Sequence, residues 1–341
     1  MSKYICSKIQ GECSMCTAVT YKTKNHYFGR NLDLEYSYGE KITITPRNYA
    51  FHFRKTSKME SHFAIIGMAY VLKGYPLYYD ATNEKGLSAA GLSFPQNADY
   101  KPYCSGKDNI TPFELIPWIL GQCETVAEAE NLLKRINLFN ENFSEALPLS
   151  PLHWIISDRE RSITLESTPT GIQIYDNPIG ILTNSPTFDY HLFNLNNYMK
   201  LTNGIPDNTF AGGSRNLELK TYSHGMGAIG LPGDASSLSR FVRATFVKMN
   251  SASGSSEAES VSQFFHILKS VEMQRGCVQT VKGLYDITIY SSCCNTDRGI
   301  YYYTTYDNSR IHAVDMHKEN LHGDTLIEYP LKKEQSIEYL N

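Results

Sequence analysis

Short alternations of hydrophobic and polar residues begin at Met15 and predict a protein built largely from β-strands. Residues 15–21 alternate as a half-buried strand does, residues 27–33 form a second short strand, and the polar residues 22–25 form the turn between them. The same kind of pattern recurs through much of the chain. It predicts further strands at residues 41–45, 63–71, 77–80, 86–94, 152–157, 163–166, 172–175, 285–290, 300–306 and 311–314.

Helix-forming segments separate these groups of strands. Thr111 and Pro112 predict the N-cap and the first residue of one helix, and Pro117 is expected to kink it. Thr125 predicts the N-cap of a second helix, residues 236–249 form a third, and a fourth follows a Ser- and Gly-rich linker. Strands, helices, strands, helices and strands in this order indicate an α+β protein.

Composition and charge narrow the range of partners. The 341 residues include 32 Lys and Arg against 35 Asp and Glu, so no basic excess indicates nucleic acid and no polybasic segment indicates an anionic membrane. No apolar run approaches the roughly 18 residues of a membrane span. Residues 1–14 have no apolar stretch typical of a secretory signal. We therefore expect a cytoplasmic protein whose eight cysteines stay reduced.

The first two predicted strands carry the clearest candidate chemistry. Cys16 heads the first strand, and Arg30 and Asp33 lie at the end of the second. A nearby guanidinium favours the nucleophilic thiolate form of a cysteine. If the chain is cut before Cys16, its α-amine, which titrates near ~8, can accept the thiol proton, and Asp33 can hold that amine. Because Arg30 and Asp33 point to opposite faces of a regular strand, both reach Cys16 only if the strand ends or bulges near Asn31.

Distinctive motifs follow this pair of strands in a fixed order. Met-Cys-Thr at residues 15–17 and Phe-Gly-Arg-Asn-Leu-Asp at residues 28–33 come first. The later motifs are NEKGL at 83–87, LTNSPTFD at 182–189, GLPGD at 230–234, SRFVR at 239–243, YSSC at 290–293 and GIYYY at 299–303. Together they resemble the choloylglycine hydrolase family, the bile salt hydrolases and penicillin V acylases, which are N-terminal nucleophile hydrolases. Any one motif alone is weak, but their agreement in order is highly specific.

The resemblance implies an overall organisation. The expected fold is the four-layer αββα sandwich of the N-terminal nucleophile hydrolases, with one choloylglycine hydrolase domain at residues 16–341 and a homotetramer as the assembly. Residues 1–15 are then a leader or a mis-assigned start that is removed, since Met15 precedes the nucleophile as an initiator methionine would.

The resemblance also implies an activity without a cofactor: hydrolysis of the amide bond of bile salts conjugated with glycine or taurine. Cys16 is expected to attack the amide carbonyl, and Asn184 to help build the oxyanion hole. Arg240 is expected to support the site electrostatically, with Arg243 as the second choice. The two charged residues of the second strand would tune and position the nucleophile.

Ser93 departs from the family, in which bile salt hydrolases carry asparagine at this position and penicillin V acylases tyrosine. That residue helps to stabilise the oxyanion, and losing such a donor costs ~3 kcal/mol of transition-state stabilisation. Serine can still donate, but its side chain is shorter. By alignment with the family, Leu32, Tyr79, Phe143 and Leu147 would line an apolar pocket for the steroid, although each could equally be ordinary core.

Two other functions remain open at this point. One is penicillin V acylase, which uses the same chemistry with a phenoxyacetyl pocket; the segments around Asn184 and Arg240 match the bile salt hydrolases more closely. The other is a non-catalytic bile-salt-binding homologue, which the serine at position 93 and the uncleaved leader motivate. Comparing the turnover of the two kinds of substrate separates these possibilities.

Two further patterns are interpreted as structural. Residues 225–230 read GMGAIG and match the dinucleotide-binding fingerprint, but no suitable strand precedes them and Pro232 interrupts the helix that should follow. A plain glycine-rich loop is predicted instead. His312, His317 and His322 are spaced so that neither a strand nor a helix gathers them on one face. Without an HExxH or a paired CxxC motif, no metal site is predicted.

Overall fold

The computed structural model describes residues 15–210 and 219–341, so residues 1–14 of the predicted leader lie outside the described part of the chain. Within these ranges the strands, in chain order, are β1 (Met15–Lys22), β2 (His26–Leu34), β3 (Lys41–Thr45), β4 (Ile65–Leu72), β5 (Tyr75–Asn83), β6 (Ser88–Ser93), β7 (Asp108–Ile110), β8 (Ile136–Leu138), β9 (Leu152–Ser157), β10 (Ser162–Thr168), β11 (Gly171–Asp176), β12 (Ile181–Leu182), β13 (Ile287–Asn295), β14 (Ile300–Thr305), β15 (Asn308–Asp315) and β16 (Ile327–Pro330). The α-helices are α1 (Leu115–Leu120), α2 (Val126–Leu133), α3 (Phe188–Asn194), α4 (Ser237–Met249) and α5 (Glu257–Lys269).

Two antiparallel sheets organise these elements. The first has the strand order β12-β1-β2-β13-β14-β15, and the second has the order β11-β10-β9-β6-β5-β4-β3-β16. The predicted hairpin of β1 and β2 therefore lies inside the first sheet, with β12 and β13 on either side. Gly29 allows β13 to approach, because a Cβ at this position would lie 2.0 Å from the carbonyl oxygen of Ser292.

The two sheets pack face to face, and helices cover both outer faces. β1 and β2 contact β6, α4 and α5 pack on the first sheet, and α1 packs on β5 and β6 of the second. One core, which includes Phe28, Leu92 and Phe264, extends between the sheets and under α4 and α5. A second core, which includes Trp118 and Trp154, lies between the second sheet and α1 and α2. The predicted α+β class and four-layer αββα sandwich are confirmed.

The helix starts at Thr125 and Ser236 are confirmed, and the Thr125 hydroxyl accepts the N–H of Glu128. The expectation that β1 is half-buried is wrong, because one face of the strand meets the second sheet and the other lies under helices. Residues 225–230 form a loop with a short 3₁₀ turn, as the broken fingerprint predicted. In the described ranges no helix is both long and apolar enough to cross a membrane.

The predicted start of the first helix is also wrong. It begins at Leu115, three residues after the expected position at Pro112. The Glu114 carboxylate accepts the backbone N–H groups of Thr111 at 3.0 Å and of Arg54 at 2.6 Å, which holds the preceding segment as a turn. Pro117 consequently lies in the first helical turn, where a missing N–H breaks no hydrogen bond and no kink is required.

Candidate active site

Cys16 lies at the start of β1, and its side chain faces a cavity. In the ladder between β1 and β2, Cys16 pairs with Leu32 and Ala18 pairs with Arg30. Paired residues of antiparallel strands project to the same side, so these four side chains share one side of the first sheet, here called the cavity face. The side chain of Asp33 projects to the opposite side, here called the helix face.

Asn184 is brought to Cys16 by the neighbouring strand. β12 pairs with β1 so that Leu182 lies opposite Ala18, and two residues further on Asn184 is level with Cys16. The Cys16 backbone N–H donates to Asn184 Oδ1 at 2.9 Å, and Asn184 Nδ2 donates to the carbonyl of Ser93 at 2.8 Å. Because an amide oxygen only accepts and an amide nitrogen only donates, these partners define the orientation of the Asn184 side chain.

Arg240 reaches the same point from the N-terminal part of α4. Its guanidinium donates to the carbonyl of Cys16, to Thr17 Oγ1 at 2.7 Å and to Asn184 Oδ1 at 2.5 Å. The Arg240 guanidinium therefore connects the backbone of Cys16 to the side chain of Asn184. Arg243, the second choice from the sequence, instead donates to backbone carbonyls outside this cluster.

Arg30 is fully buried and links the two sheets beneath the cysteine. Its Nη1 donates to the carbonyl of Tyr79 at 3.0 Å and to that of Gly91 at 2.5 Å, both on the second sheet. Among the described residues its Nη2 has no hydrogen-bond partner, although it is buried. A guanidinium held in this way presents one free donor group on the side of the sheet from which Cys16 projects.

The charge on Arg30 is supported by ionisable groups buried with it. Burial alone lowers the pKa of Arg30, but electrostatic interaction with Cys16, Tyr290 and Asp80 outweighs this effect and raises the pKa. Asp80 is itself buried and accepts hydrogen bonds from the hydroxyls of Tyr290 and Tyr301, each at 2.6 Å. The sequence reading missed Asp80, because a lone aspartate within a strand pattern gives no sign of a partner on the other sheet.

Asp33 and Arg30 lie on opposite faces of β2, as strand periodicity predicted. The strand neither ends nor bulges at Asn31 but continues to Leu34; the extra residue of the ladder is in β13. Asp33 Oδ1 accepts the Thr288 hydroxyl at 2.6 Å, whereas its buried Oδ2 has no partner among the described residues. Burial raises the pKa of Asp33 to about 7, even though Arg240 opposes the shift.

Replacing Asp33 with asparagine should stabilise protein that retains Met15, and the gain should depend on pH. The folded-state pKa of about 7 exceeds the ordinary value of 3.8, so the folded state loses stability as the pH rises from about 4 to about 7. The loss reaches at most about 4 kcal/mol, and Asp33→Asn removes it. Thermal unfolding at successive pH values, on samples whose intact mass includes Met15, measures the difference. Asp207→Asn, at an exposed position, is the control. A difference in stability between Asp33→Asn and the parent that does not change with pH contradicts this account.

A cavity of about 240 Å³ opens beside Cys16. The residues predicted to form an apolar pocket, Leu32, Tyr79, Phe143 and Leu147, all line it, together with Cys16, Arg30 and Ser93. Sequence reasoning missed much of the remaining wall, which includes Tyr38, Tyr70, Leu77, Phe113 and Ile116. These residues come from several separate segments, so no single motif in the sequence indicates them.

One wall of the cavity is a loop that contains Phe143. The Phe143 ring meets the ring of Phe113 edge to face with centroids 5.0 Å apart. Arg54 lies 5.6 Å from the centre of the Phe143 ring, and its guanidinium donates to the carbonyl of the same residue at 2.5 Å. Leu147 follows in a small bridge with Ser144. Aromatic and cation–π contacts therefore hold the apolar wall in place.

Ser93 ends β6 and lines the cavity with Cys16. Its carbonyl is the acceptor for the side-chain amide of Asn184, so its backbone is tied to the cysteine through one residue. Within residues 15–210 and 219–341, no three His, Cys, Asp or Glu side chains come together in a way that could hold a metal ion.

The sequence is similar to that of known proteins over most of its length. The sequence model of the choloylglycine hydrolase family, described as linear amide C–N hydrolases, matches residues 16–329. A bile salt hydrolase/transferase from Lactiplantibacillus plantarum is 56% identical over 327 residues, which cover 96% of this chain and 100% of that protein.

Solved structures agree with the sequence match. A crystal structure of a variant of conjugated bile acid hydrolase from Clostridium perfringens has a TM-score of 0.88 and 39% identity, and covers 96% of this chain and 100% of that one. Penicillin V acylase from Agrobacterium tumefaciens has a TM-score of 0.72 but only 19% identity, with 92% of this chain and 90% of that chain covered. At that identity, the second likeness concerns the fold alone.

Proposed function

Because the chain belongs to the choloylglycine hydrolase family of linear amide C–N hydrolases, we propose that it hydrolyses the amide bond of bile salts conjugated with glycine or taurine. The observation that carries the proposal is the position of Cys16, in the wall of a cavity lined mainly by aliphatic and tyrosine side chains. A rigid, largely apolar acyl group with a polar amide at one end fits a site of this composition.

The first step that we propose is acylation of Cys16. After removal of Met15, the α-amine of Cys16 takes the thiol proton, and the sulfur attacks the amide carbonyl to form a tetrahedral oxyanion. As the carbon–nitrogen bond breaks, the protonated amine gives its proton to the leaving amino acid. A thioester on Cys16 remains. In the second step, the same amine takes a proton from water, which attacks the thioester. The carbon–sulfur bond then breaks, the proton returns to the sulfur, and the free bile acid leaves.

The neighbours of Cys16 support distinct roles in this reaction. The free Nη2 group of Arg30, on the side from which the thiol projects, can stabilise the thiolate. Asn184 Oδ1 already accepts from the nitrogen of Cys16, and the unpartnered Oδ2 of Asp33 is available for the additional N–H groups of an α-ammonium. Arg240 holds the carbonyl of Cys16 and so fixes the direction of the amine.

The oxyanion requires hydrogen-bond donors that are already in place. The Asn184 side-chain nitrogen has two N–H groups, and Ser93 accepts only one of them. We assign the other to the oxyanion, with a backbone N–H and the Ser93 hydroxyl as further donors. Leu32, Tyr79, Phe143 and Leu147 would contact the steroid.

Incubating the purified protein with glycine and taurine conjugates, with ninhydrin detection of the released amino acid, tests the proposal. Penicillin V in the same assay series tests the penicillin V acylase alternative. The non-catalytic alternative would instead be supported if the protein binds conjugates but releases neither amino acid. This holds only for protein whose intact mass corresponds to a chain that starts at Cys16. Substantially faster turnover of penicillin V than of either conjugate would overturn the proposal.

Acyl transfer is a second candidate activity. The Lactiplantibacillus plantarum relative is named as a transferase as well as a hydrolase. A thioester on Cys16 can be attacked by an amine in place of water, which forms a new amide without any further cofactor. Mass spectrometry of reactions that contain a conjugate and a different free amino acid would detect the exchanged product.

We further propose that residues 16–341 act as one domain in a cytoplasmic homotetramer. The match of the family model from residue 16 to residue 329 supports the domain limits, and the family resemblance supports the assembly. Light scattering on purified protein measures the assembly directly, and a monomeric mass would overturn it.

Ser93→Asn should leave kcat unchanged or raise it, because the longer amide provides a donor closer to the oxyanion. The backbone at this position is already held by Asn184, so the change is confined to the cavity wall. Steady-state kinetics on a glycine conjugate measures the effect, and Ser150→Asn adds the same bulk at another position of the wall. A drop in kcat of about a hundredfold, or about 2.7 kcal/mol, would show that the site is adapted to serine.

A further inference from the structure

The backbone on both sides of Asn184 is held by two buried histidines. His153 Nε2 lies 3.0 Å from the carbonyl oxygen of Thr183, and His191 Nε2 lies 2.8 Å from the carbonyl oxygen of Asn184. The backbone N–H of Asn184 donates to Ser237 Oγ at 2.8 Å. β12 ends at Leu182, one residue before Thr183. These side-chain contacts therefore hold the backbone beyond the end of the strand, where no ladder hydrogen bonds hold it.

The side chain of Asn184 is held equally firmly. Its oxygen accepts from the backbone nitrogen of Cys16 and from Arg240, and one of its two N–H groups donates to the carbonyl of Ser93. A single donor therefore remains free on this residue. The direction of that donor depends on how the Asn184 backbone is set, and His153 is one of the groups that set it.

We propose that His153, supported by Glu166, is a positioning residue that aims the free N–H of Asn184 at the oxyanion. The inference rests on the proposed function and deepens it. His153 is not itself a catalytic residue, because it contacts the carbonyl of Thr183 and does not line the cavity. Its effect on the reaction would pass through the backbone to Asn184.

The contacts of His153 define where its protons lie. The carbonyl of Thr183 can only accept, so Nε2 must carry a proton. Nδ1 lies 3.0 Å from Glu166 Oε1, and that contact contains one more proton, on either the imidazole or the carboxyl. Glu166 therefore keeps the imidazole in the one orientation that donates to the backbone beside Asn184.

Packing adds to this orientation. The ring of His153 stacks on the ring of Phe94, with centroids 4.2 Å apart and planes 8° from parallel. Glu166 Oε1 also accepts the backbone N–H of Phe188, the first residue of α3, at 3.0 Å. The pair consequently connects β9 and β10 to the segment between β12 and α3, and neither side chain is exposed.

His153→Phe is the main test, because it keeps the ring and the stacking but removes the donor. We expect kcat on a glycine conjugate to fall roughly 10- to 100-fold, since a displacement of about 1 Å in a catalytic group has an effect of this size, while KM changes less than about threefold. His153→Gln, whose amide N–H can take the place of Nε2–H, should recover most of the loss. His62→Phe is the matched control, because His62 is also buried beside a phenylalanine and contacts a backbone carbonyl at 2.8 Å.

Alkylation of Cys16 by iodoacetamide is the second readout, because this reaction forms no oxyanion. Its rate should stay within about twofold of the parent rate in His153→Phe. If His153→Phe does not fold, Glu166→Leu, which removes the Nδ1 partner of the same imidazole at similar side-chain volume, takes its place with the same expectations. Retention of the parent kcat, an equal fall in kcat in His62→Phe, or alkylation that slows in parallel with kcat would each overturn the proposal.

The activity of the parent protein separates this inference from the proposed function. Failure of the parent to release glycine or taurine would count against the function alone. The ratio of variant to parent kcat would then be measured on penicillin V, whose amide would meet the same Asn184. A ratio near one on whichever substrate the parent hydrolyses would count against the role of His153.

Discussion

Cys16→Ser should lower kcat for release of glycine and taurine by at least about 10⁴-fold, the scale seen when an enzyme loses its nucleophile. A serine alkoxide is far harder to generate near neutral pH than a thiolate, and an α-amine is too weak a base to form it. The two side chains are similar in volume and the position is buried, so the fold should persist. Steady-state kinetics and thermal unfolding on the same samples measure both effects.

Cys123→Ser is the matched control for this change. Cys123 is also a buried free thiol, but it lies in the core under α1 and α2. The Cys123→Ser variant should keep the parent kcat, and its change in thermal stability should be similar to that of Cys16→Ser. Turnover by Cys16→Ser within about tenfold of the parent would remove Cys16 as the nucleophile, and an equal loss of turnover in Cys123→Ser would mean that the effect is structural.

The sequence could predict those parts of the fold that depend on short-range pattern. β1 alternates clearly, and the motifs of the hairpin that it forms with β2 locate the cysteine and both charged residues. β12 has only two residues, too few for any periodicity to be visible, yet its pairing with β1 is what brings Asn184 to Cys16. The resemblance to a family supplied Asn184; periodicity could not.

The sequence pattern also could not predict that both faces of a strand are buried. β1 alternates as a half-buried strand would, but its polar residues are covered by helices that start more than 200 positions later. Thr17, for example, can be buried because its hydroxyl accepts a hydrogen bond from Arg240. Asp80, His153 and Glu166 escaped notice for the same reason: each is an ordinary polar residue in a strand until a neighbouring strand, the other sheet or a distant loop supplies its partner. Single residues acquire such roles only through long-range packing.

The active protein should begin at Cys16, and protein that retains Met15 should have almost no activity. With Met15 in place, the nitrogen of Cys16 is an amide, which cannot accept the thiol proton. Met15 also continues β1 and pairs with Asp33 in the ladder, so it occupies the space beside the carboxylate whose Oδ2 has no partner among the described residues. Removal of Met15 would turn the amide into an amine with additional N–H groups directed towards Asn184 and Asp33.

Protein expressed from Met1 and protein expressed from Met15 should therefore show equal kcat per molecule whose N-terminus is Cys16. Intact mass measures the processed fraction of each sample, and ninhydrin measures turnover. An added residue that cannot be removed, such as proline inserted between Met15 and Cys16, provides the matched unprocessed sample. Its kcat should be lower by at least about 10³-fold, because general base catalysis and access to the thiol are both lost. Full turnover by protein whose mass still includes residues before Cys16 would disprove the N-terminal nucleophile mechanism, since no free amine would then exist at the cysteine.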